Sequence, residues 1–313
     1  MHARLTMTLM MHGAVTSGEL WAAWEWEPGI VVPLVISAVL YVRGLRLLWD
    51  EHVGRGIRVW EAASFAMGWI IAALALLSPL DALSEQLFSA HMIQHELLMA
   101  VAAPLLVVGR PLVPMLWALP SRARRSIGRV TRRGALLSTW QLASRPIVAF
   151  AIHGVAIWLW HIPVLFQATL TNDAVHALQH VSFVGSAVLF WWAIIHGHGP
   201  GGRARATSFG LAVLLLFGTA LHSGALGALL TFSRTVWYPI YASSAAAWRL
   251  TPLEDQQIAG LIMWIPATFA YLLAALALFA SWLRASEERV HEQELARDAA
   301  RKAAHRTGDD SWS

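Results

Sequence analysis

Two pairs of histidines have the spacing that places both imidazoles on one face of a helix. His91 and His95 form one His-x-x-x-His unit, and His176 and His180 form the other. Four residues are about one helical turn, so the two rings of each pair are expected to lie roughly 6 Å apart. Imidazoles at that spacing can bind one metal ion together. The sequence therefore predicts metal binding by these two pairs.

The composition limits both the class of protein and the kinds of metal ligand. Of the 313 residues, 57% are hydrophobic and only 13% are charged, proportions that are typical of a multi-pass membrane protein. The chain has no cysteine, which excludes disulfides, iron–sulfur clusters and thiolate ligands. The net charge of +4 comes from arginines that flank hydrophobic segments. This placement indicates membrane topology and no nucleic-acid partner.

Seven hydrophobic runs have about the 20 residues that a helix needs to cross a bilayer. They cover residues 30–49, 61–80, 87–109, 146–164, 174–196, 207–231 and 257–283. We predict an all-α fold, a bundle of seven transmembrane helices over residues 30–283. An extracytoplasmic N-terminal segment over 1–29 and a charged cytoplasmic tail over 284–313 are expected on either side of it. The expected surroundings are the lipid bilayer of a bacterial cell membrane, crossed several times.

The basic residues are distributed unequally between the two sides of the predicted bundle. All of the 23 Lys and Arg residues except Arg4, Arg234 and Arg249 lie in or next to the first, third and fifth connections or in the tail. Cytoplasmic loops carry an excess of Lys and Arg. The N-terminus is therefore predicted outside and the C-terminus in the cytoplasm.

This orientation brings six histidines to the outer half of the membrane. Spans three and five enter from outside, so both pairs lie in their outer turns, with His161 near the end of span four and His222 in span six. Because ionisable side chains inside a membrane are costly, their convergence favours a metal site. The two pairs are the expected primary ligands, and His161 and His222 the secondary ones. If His222 is considered without the other histidines, it is expected only to form a hydrogen bond to the backbone of a neighbouring helix.

Four carboxylates lie near these histidines in the predicted topology. Glu96 directly follows His95 and is expected to orient an imidazole. Asp173 precedes the second pair, and Asp81 and Asp255 lie at the outer ends of spans two and seven, where they would attract a cation. We expect these side chains to orient the ligands or to line the access path.

Several segments of the chain together form a recognisable pattern. They are Ser78-Pro-Leu-Asp81, Leu87-Phe-Ser-Ala-His91-Met-Ile-Gln-His95, Ala103-Pro-Leu-Leu-Val-Val-Gly-Arg-Pro111, Trp160-His161-Ile-Pro163, His176 to His180, and Thr251-Pro-Leu-Glu-Asp-Gln-Gln257 with Gly260 and Met263-Trp264. This pattern resembles the polytopic CtaG family of cytochrome c oxidase assembly factors. The resemblance covers roughly residues 30–283. Glu96 departs from it, because an apolar residue is expected after the His-Met-x-Gln-His motif.

The resemblance implies a plasma-membrane factor, not an enzyme, that is needed to build an active haem–copper oxidase. It implies the binding or delivery of copper, with oxidase subunits as partners and an extracytoplasmic copper donor. Copper also suits the residues themselves, because imidazole binds both Cu(I) and Cu(II).

Three other functions are open on the sequence. Zinc held by three histidines would activate a water molecule and give a membrane hydrolase, with Asp173, His176, His180 and the His222-Ser223 pair as its residues. Two histidines from different helices could instead be the axial ligands of a haem. The histidines could also join helices in a metal-free scaffold that binds oxidase subunits. The metal that the protein binds distinguishes these functions.

Overall fold

The computed structural model describes residues 22–131, 134–197 and 202–309, and within these ranges the chain forms helices and loops with no β-strand. The predicted all-α class is confirmed. Residues 1–21 of the predicted N-terminal segment lie outside the described ranges.

Seven apolar helices, named α1 to α7, form the bundle. Their bounds are Pro28–Trp49, Val59–Leu77, Phe88–Val108, Pro146–Trp160, Asp173–His196, Gly202–Phe232 and Pro252–Asp309. In the described part of the chain, six helices are long and apolar enough to cross a membrane, α6 through Phe209–Phe232 and α7 through Pro252–Arg284. The count reaches seven when α4 is joined to the preceding helix Gly134–Ala143, from which it is bent by 74°. The chain is therefore a multi-pass membrane protein with six or seven spans.

Helix α4 is shorter than the hydropathy of 146–164 predicts. It has 15 residues and ends at Trp160, and a separate helix of seven residues begins at Pro163. Proline lacks the N–H that would continue the helix and disfavours helical backbone in the residue before it. Fifteen residues span only about 22 Å, less than the ~30 Å apolar core of a bilayer. As a result His161 caps the end of α4 and does not lie inside a longer span.

Local signals determine where helices α5 and α7 begin. The Asn172 side chain accepts hydrogen bonds from the N–H groups of Ala174 and Val175, which caps α5 directly before its first turn. Helix α7 begins at Pro252, where the missing N–H costs nothing. The Glu254 carboxylate accepts a hydrogen bond from the Thr251 N–H over 2.8 Å.

Helices α6 and α7 approach each other closely through glycines. A Cβ atom at Gly227 would lie 2.7 Å from the carbonyl oxygen of Gly260, and one at Gly260 would lie 2.5 Å from that of Gly227. Small residues permit such approach between membrane helices, because backbone packing replaces the hydrophobic effect there.

Helix α3 changes its winding just after the first histidine pair. Its first nine residues, Phe88–Glu96, are α-helical, the next six, Leu97–Ala102, form a π-helix, and Ala103–Val108 is α-helical again. The buried Trp191 of α5 donates its indole N–H to the Met99 carbonyl inside the π-helix over 2.9 Å. Such π-segments are frequent at functional sites. Here the hydrogen bond joins α3 to α5 at a position that follows the two histidines along α3.

Helix α7 extends beyond the membrane-spanning part of the chain. It is one helix of 58 residues whose spanning portion ends at Arg284. The charged segment that follows continues as helix to Asp309.

Candidate metal centre

Helices α3, α5 and α7 begin at the same end of the bundle, which we call the histidine end. In the first turn of α7, the Asp255 carboxylate accepts hydrogen bonds from the Phe88 N–H over 2.7 Å and the Ser89 N–H over 3.1 Å. Asp255 is fully buried. The sequence placed Asp255 at an open mouth as a cation attractor, whereas the structure uses its carboxylate to cap the helix that carries His91 and His95.

The structure brings the two predicted histidine pairs together. The ring centroids of His91 and His95 lie 4.3 Å apart and those of His176 and His180 lie 4.5 Å apart. Between the pairs, His95 lies 5.4 Å from His180, and His91 lies 6.0 Å from His176. We call these four residues the histidine cluster. Four imidazoles from two helices therefore share one site.

His176 and His180, which we call the outer pair, are close to the geometry of two ligands on one ion. The Nε2 atoms of His176 and His180 lie 2.9 Å apart. Two imidazole nitrogens on a tetrahedral metal, each about 2.0–2.1 Å from it, would lie about 3.3 Å apart. A small rotation of either ring would therefore accommodate a shared ion.

His91 and His95, which we call the inner pair, lie between aromatic side chains. His91 is fully buried and His95 is 2% exposed. The ring of Phe166 lies 5.0 Å from that of His91, and the ring of Phe183 lies 4.7 Å from that of His95. These apolar walls separate the inner pair from water.

Polar atoms around the inner pair lack hydrogen-bond partners. Among the described residues, no hydrogen bond of regular geometry is found for either ring nitrogen of His91 or His95, for Nδ1 of His180, or for the amide of buried Gln179, although the Gln179 side chain lies close enough to interact with His91. A buried polar group without a partner costs about 1–3 kcal/mol. Several such atoms at one place favour a ligand that binds the lone pair on the unprotonated nitrogen of each imidazole.

His161 presents one nitrogen in the form that a metal needs. Its Nδ1 lies 2.7 Å from the Ile157 carbonyl oxygen, which can only accept, so the proton is on Nδ1. The buried Nε2 then carries a lone pair, and no described group bonds to it. The Tyr238 hydroxyl donates to the His161 carbonyl over 2.8 Å and holds this residue in place. His161 lies within electrostatic range of His91 and His95.

His222 packs at another place, against α4. Its ring lies 5.6 Å from that of Phe150, and a Cβ atom at Gly154 would lie 3.5 Å from its Nε2. It lies within electrostatic range of His153, which the sequence placed about 12 Å deeper than His161. The structure therefore places His222 beside α4 near His153, and among the described residues its ring contacts none of the four members of the histidine cluster.

Glu96 does not orient an imidazole. Because the nitrogens of His91 and His95 have no partner in the described residues, neither ring is bonded to the Glu96 carboxylate. Glu96 lies within electrostatic range of Tyr271 in α7.

Five carboxylates surround the histidine end, and we call them the acidic rim. They are Glu25, Glu27, Asp81, Glu85 and Asp173. Burial raises the pKa of Asp81 to about 6, with a hydrogen bond from Gln94 acting against it and Glu25 and Glu27 adding to it. Burial also raises the pKa of Glu85 to about 7, with Asp81, Glu25 and Asp173 adding to the effect. The sequence predicted Asp81 and Asp173 here but missed the three glutamates, two of them in the Trp-rich segment before α1.

Gln94 connects the acidic rim to the histidine cluster. It lies between His91 and His95 on α3 and is fully buried. Its amide nitrogen donates to the Asp81 carboxylate over 2.6 Å and to the Ala75 carbonyl over 2.8 Å. The acidic rim is therefore bonded to α3 within the helical turn that carries His91 and His95.

Replacing Asp81 by Asn is expected to stabilise the protein at high pH. The carboxyl ionises near 3.8 when unfolded and near 6 when folded. Folding thus opposes ionisation, and stability is lost as the pH rises from about 4 through 6, by up to about 3 kcal/mol. Asn keeps an acceptor for Gln94 but cannot ionise.

The measurement is the melting temperature in detergent micelles at two pH values. The variant should melt above the wild type at pH 8 and together with it near pH 4, whereas Asp50→Asn at an exposed position should show no such difference. A stabilisation of equal size at both pH values would contradict the role given to Asp81.

No ready-made site of three or more His, Asp or Glu ligands exists among the described side chains. The two pairs face each other at ring separations of 5.4 to 6.4 Å. The nitrogens of His176 and His180 lie near ligand spacing. A metal ion shared by both pairs would require rotation of their side chains.

The chain is similar to proteins of mycobacteria. It is 28% identical over 290 residues to uncharacterized proteins of Mycobacterium bovis and Mycobacterium tuberculosis, which covers 89% of this chain and 42% of each relative. It is 24% identical over 274 residues to an uncharacterized protein of Mycobacterium leprae, which covers 83% of this chain and 40% of that relative. The chain thus spans less than half the length of these curated relatives. No solved structure matches it significantly.

A family profile identifies the chain. Residues 39–285 match the family described as cytochrome c oxidase caa3 assembly factor (Caa3_CtaG). The match includes the histidine cluster, the capping Asp255 and the spanning portions of α2 to α7. The resemblance drawn from the His-Met-x-Gln-His motif is confirmed, and the chain belongs to the family of caa3 cytochrome c oxidase assembly factors.

Proposed function

We propose that the protein binds copper at the histidine cluster and carries it as cargo during oxidase assembly in a bacterial cell membrane. The observation that carries this proposal is the buried inner pair, His91 and His95, whose four ring nitrogens lack partners within the described residues. Side chains that merely joined helices would use these nitrogens in hydrogen bonds.

Copper(I) fits this site better than a divalent ion does. The ligands are neutral imidazoles in an apolar environment, and burying an uncompensated charge becomes more costly as the charge increases. A singly charged ion held by histidines therefore costs less than Zn²⁺ with the same ligands. The chain offers no thiolate to neutralise a divalent ion.

The two pairs suit an ion that is passed on. His176 and His180 are half-buried and lie behind the acidic rim, while His91 and His95 are buried. Copper attracted by the rim would bind the outer pair first and then pass to the inner pair. Because neither pair has three ligands, the ion stays exchangeable, as transfer to a recipient requires.

The remaining parts of the proposal follow from the predicted topology. With the histidine end outside, copper would arrive from an extracytoplasmic donor and leave to subunits of a haem–copper oxidase. The protein would act by binding and transfer and would not catalyse a reaction.

The test is the metal content of the detergent-purified, Cu(I)-loaded protein. We expect His91→Ala/His95→Ala to bind at least one copper ion fewer per chain than the wild type, while His52→Ala in an exposed loop binds as much. Equal copper in the double variant and the wild type would contradict the proposal. Zinc with hydrolytic activity, or a Soret band from haem, would replace it with the corresponding alternative.

A further inference from the structure

We infer a second copper(I) site deeper in the membrane, formed by His153 of α4 and His222 of α6. The inference rests on the proposed function, because it extends the path of the same cargo. It concerns residues outside the histidine cluster, on a different pair of helices.

His153 is fixed in the tautomer that leaves Nε2 free for a metal. Its Nδ1 lies 3.0 Å from the Ser186 hydroxyl, and that hydroxyl donates to the Phe183 carbonyl over 3.1 Å. The hydroxyl must then accept from Nδ1, so the proton is on Nδ1 and the lone pair is on Nε2. His153 is fully buried, and its Nε2 has no partner among the described residues.

His222 brings a second unbonded imidazole to the same level. Both of its nitrogens are buried without a partner in the described part of the chain. Its Nε2 faces α4 beside Gly154, the residue that follows His153. The absence of a side chain at Gly154 is what lets this imidazole approach α4.

Two imidazoles without a hydrogen bond between them suit an ion that would bind both lone pairs. His222 lies beside Gly154, the residue next to His153, and within electrostatic range of His153. The Phe190 ring lies 5.4 Å from His153 and the Phe150 ring 5.6 Å from His222, so the surroundings are apolar. In such surroundings the unmet polar atoms are costly, and a bound ion would remove that cost.

The chemistry selects Cu(I) over other ions. Cu(I) is stable with two nitrogen ligands in a linear arrangement, whereas Zn²⁺ binds four ligands in structural sites and at least three with water in catalytic ones. A +1 ion with two neutral ligands also carries the smallest charge into the apolar layer.

The depth of this site indicates how the cargo would leave. His153 lies eight residues before His161, about 12 Å further from the histidine end. The carbon edge of His222 is half-exposed on the side of α6. Copper held here would be positioned for sideways transfer to a recipient within the membrane, after capture at the histidine end.

The test counts Cu(I) ions per chain in the full-length protein. The protein in detergent is titrated without oxygen against a chromophoric Cu(I) chelator. We expect His153→Ala/His222→Ala to bind one ion fewer than the wild type, and the same two substitutions to remove one further ion from His91→Ala/His95→Ala. His52→Ala should bind as many ions as the wild type.

The two proposals fail in different ways. If His153→Ala/His222→Ala binds as many ions as the wild type, the deeper site does not exist, whatever happens at the histidine cluster. If that variant loses an ion while His91→Ala/His95→Ala does not, the proposed function of the cluster fails and the deeper site stands.

A spectroscopic measurement covers the case in which the double variant does not fold. Copper K-edge absorption of a Cu(I)-loaded variant in which all four residues of the histidine cluster are replaced by Ala should report two-coordinate copper bound to nitrogen, and the signal should disappear when His222→Leu is added to that variant. Copper with three or more ligands, or a signal unchanged by His222→Leu, would overturn the inference.

Discussion

Replacing Asp255 by Ala is expected to lower the free energy of unfolding by about 3 kcal/mol and to reduce the copper bound at the histidine cluster. The buried carboxylate accepts hydrogen bonds from the N–H groups of Phe88 and Ser89 and from the Ser89 hydroxyl. Hydrogen bonds to a charged group contribute about 1.5–3 kcal/mol each, and donors left unpaired in the interior add their own cost. These bonds together form the cap of α3, and relaxation of the chain would recover part of their loss, which leaves about 3 kcal/mol.

The effect on copper follows from the position of this cap. His91 lies three residues after Phe88, so the first turn of α3 determines where its imidazole points. When that turn unwinds, the two members of the inner pair no longer share a helix face. Copper content should therefore fall although no proposed ligand has been changed.

Two matched variants separate the buried cap from a general effect of losing a carboxylate. Asp255→Asn keeps the shape and one acceptor oxygen, so it should lose less stability than Asp255→Ala. Glu254→Ala removes the neighbouring carboxylate, which is exposed and bonds only within its own turn, so it should melt close to the wild type. Melting temperature and copper content are measured for all three in detergent, and similar losses for Glu254→Ala and Asp255→Ala would refute the argument.

The helices were predictable because the bilayer imposes one strong requirement. A run of apolar residues long enough to cross it must satisfy its backbone by helix formation. The predicted run 174–196 corresponds to Asp173–His196, and 30–49 corresponds to Pro28–Trp49. Hydropathy alone does not predict where α4 ends, because the helix stops before His161 and Pro163 although the apolar run continues.

The histidine cluster was predictable because each pair lies within one helical turn. The spacing of His91 from His95 fixes their common face whatever the rest of the chain does. Only the meeting of the two pairs needed the fold, and alternation of the spans predicted that both lie at the same end.

The positions of His222 and Asp255 were not predictable in the same way. Counting residues along a span gives the depth of a side chain but not the direction in which it points around the helix axis. His222 points to α4 and His153, which only the packing of α6 determines. The role of Asp255 depends on contact with residues 166 and 167 positions earlier in the chain, for which the sequence has no local signal.

A His91→Leu/His95→Leu variant is expected to be more stable than the wild type without metal and less stable with copper. Without metal, the wild type bears the cost of four buried ring nitrogens that have no partner in the described residues. Each unmet polar group costs about 1–3 kcal/mol, so leucines packed between Phe166 and Phe183 should gain about 2 kcal/mol or more. With free Cu(I) at 100 times its dissociation constant, the wild type gains about 2.7 kcal/mol that the variant cannot gain.

This reversal distinguishes metal binding from a structural role of the histidines. Thermal unfolding in detergent is compared with a Cu(I) chelator present and with Cu(I) added. His176→Leu serves as the control, because Nε2 of His176 already has a partner in His180, so its gain without metal should be smaller. If the double variant melts below the wild type in the chelator, the histidines stabilise the bundle by contacts of their own, and the metal-free scaffold becomes the better interpretation. If copper raises the melting temperature of both proteins equally, the ion binds elsewhere, since a ligand stabilises only the folded protein that contains its site.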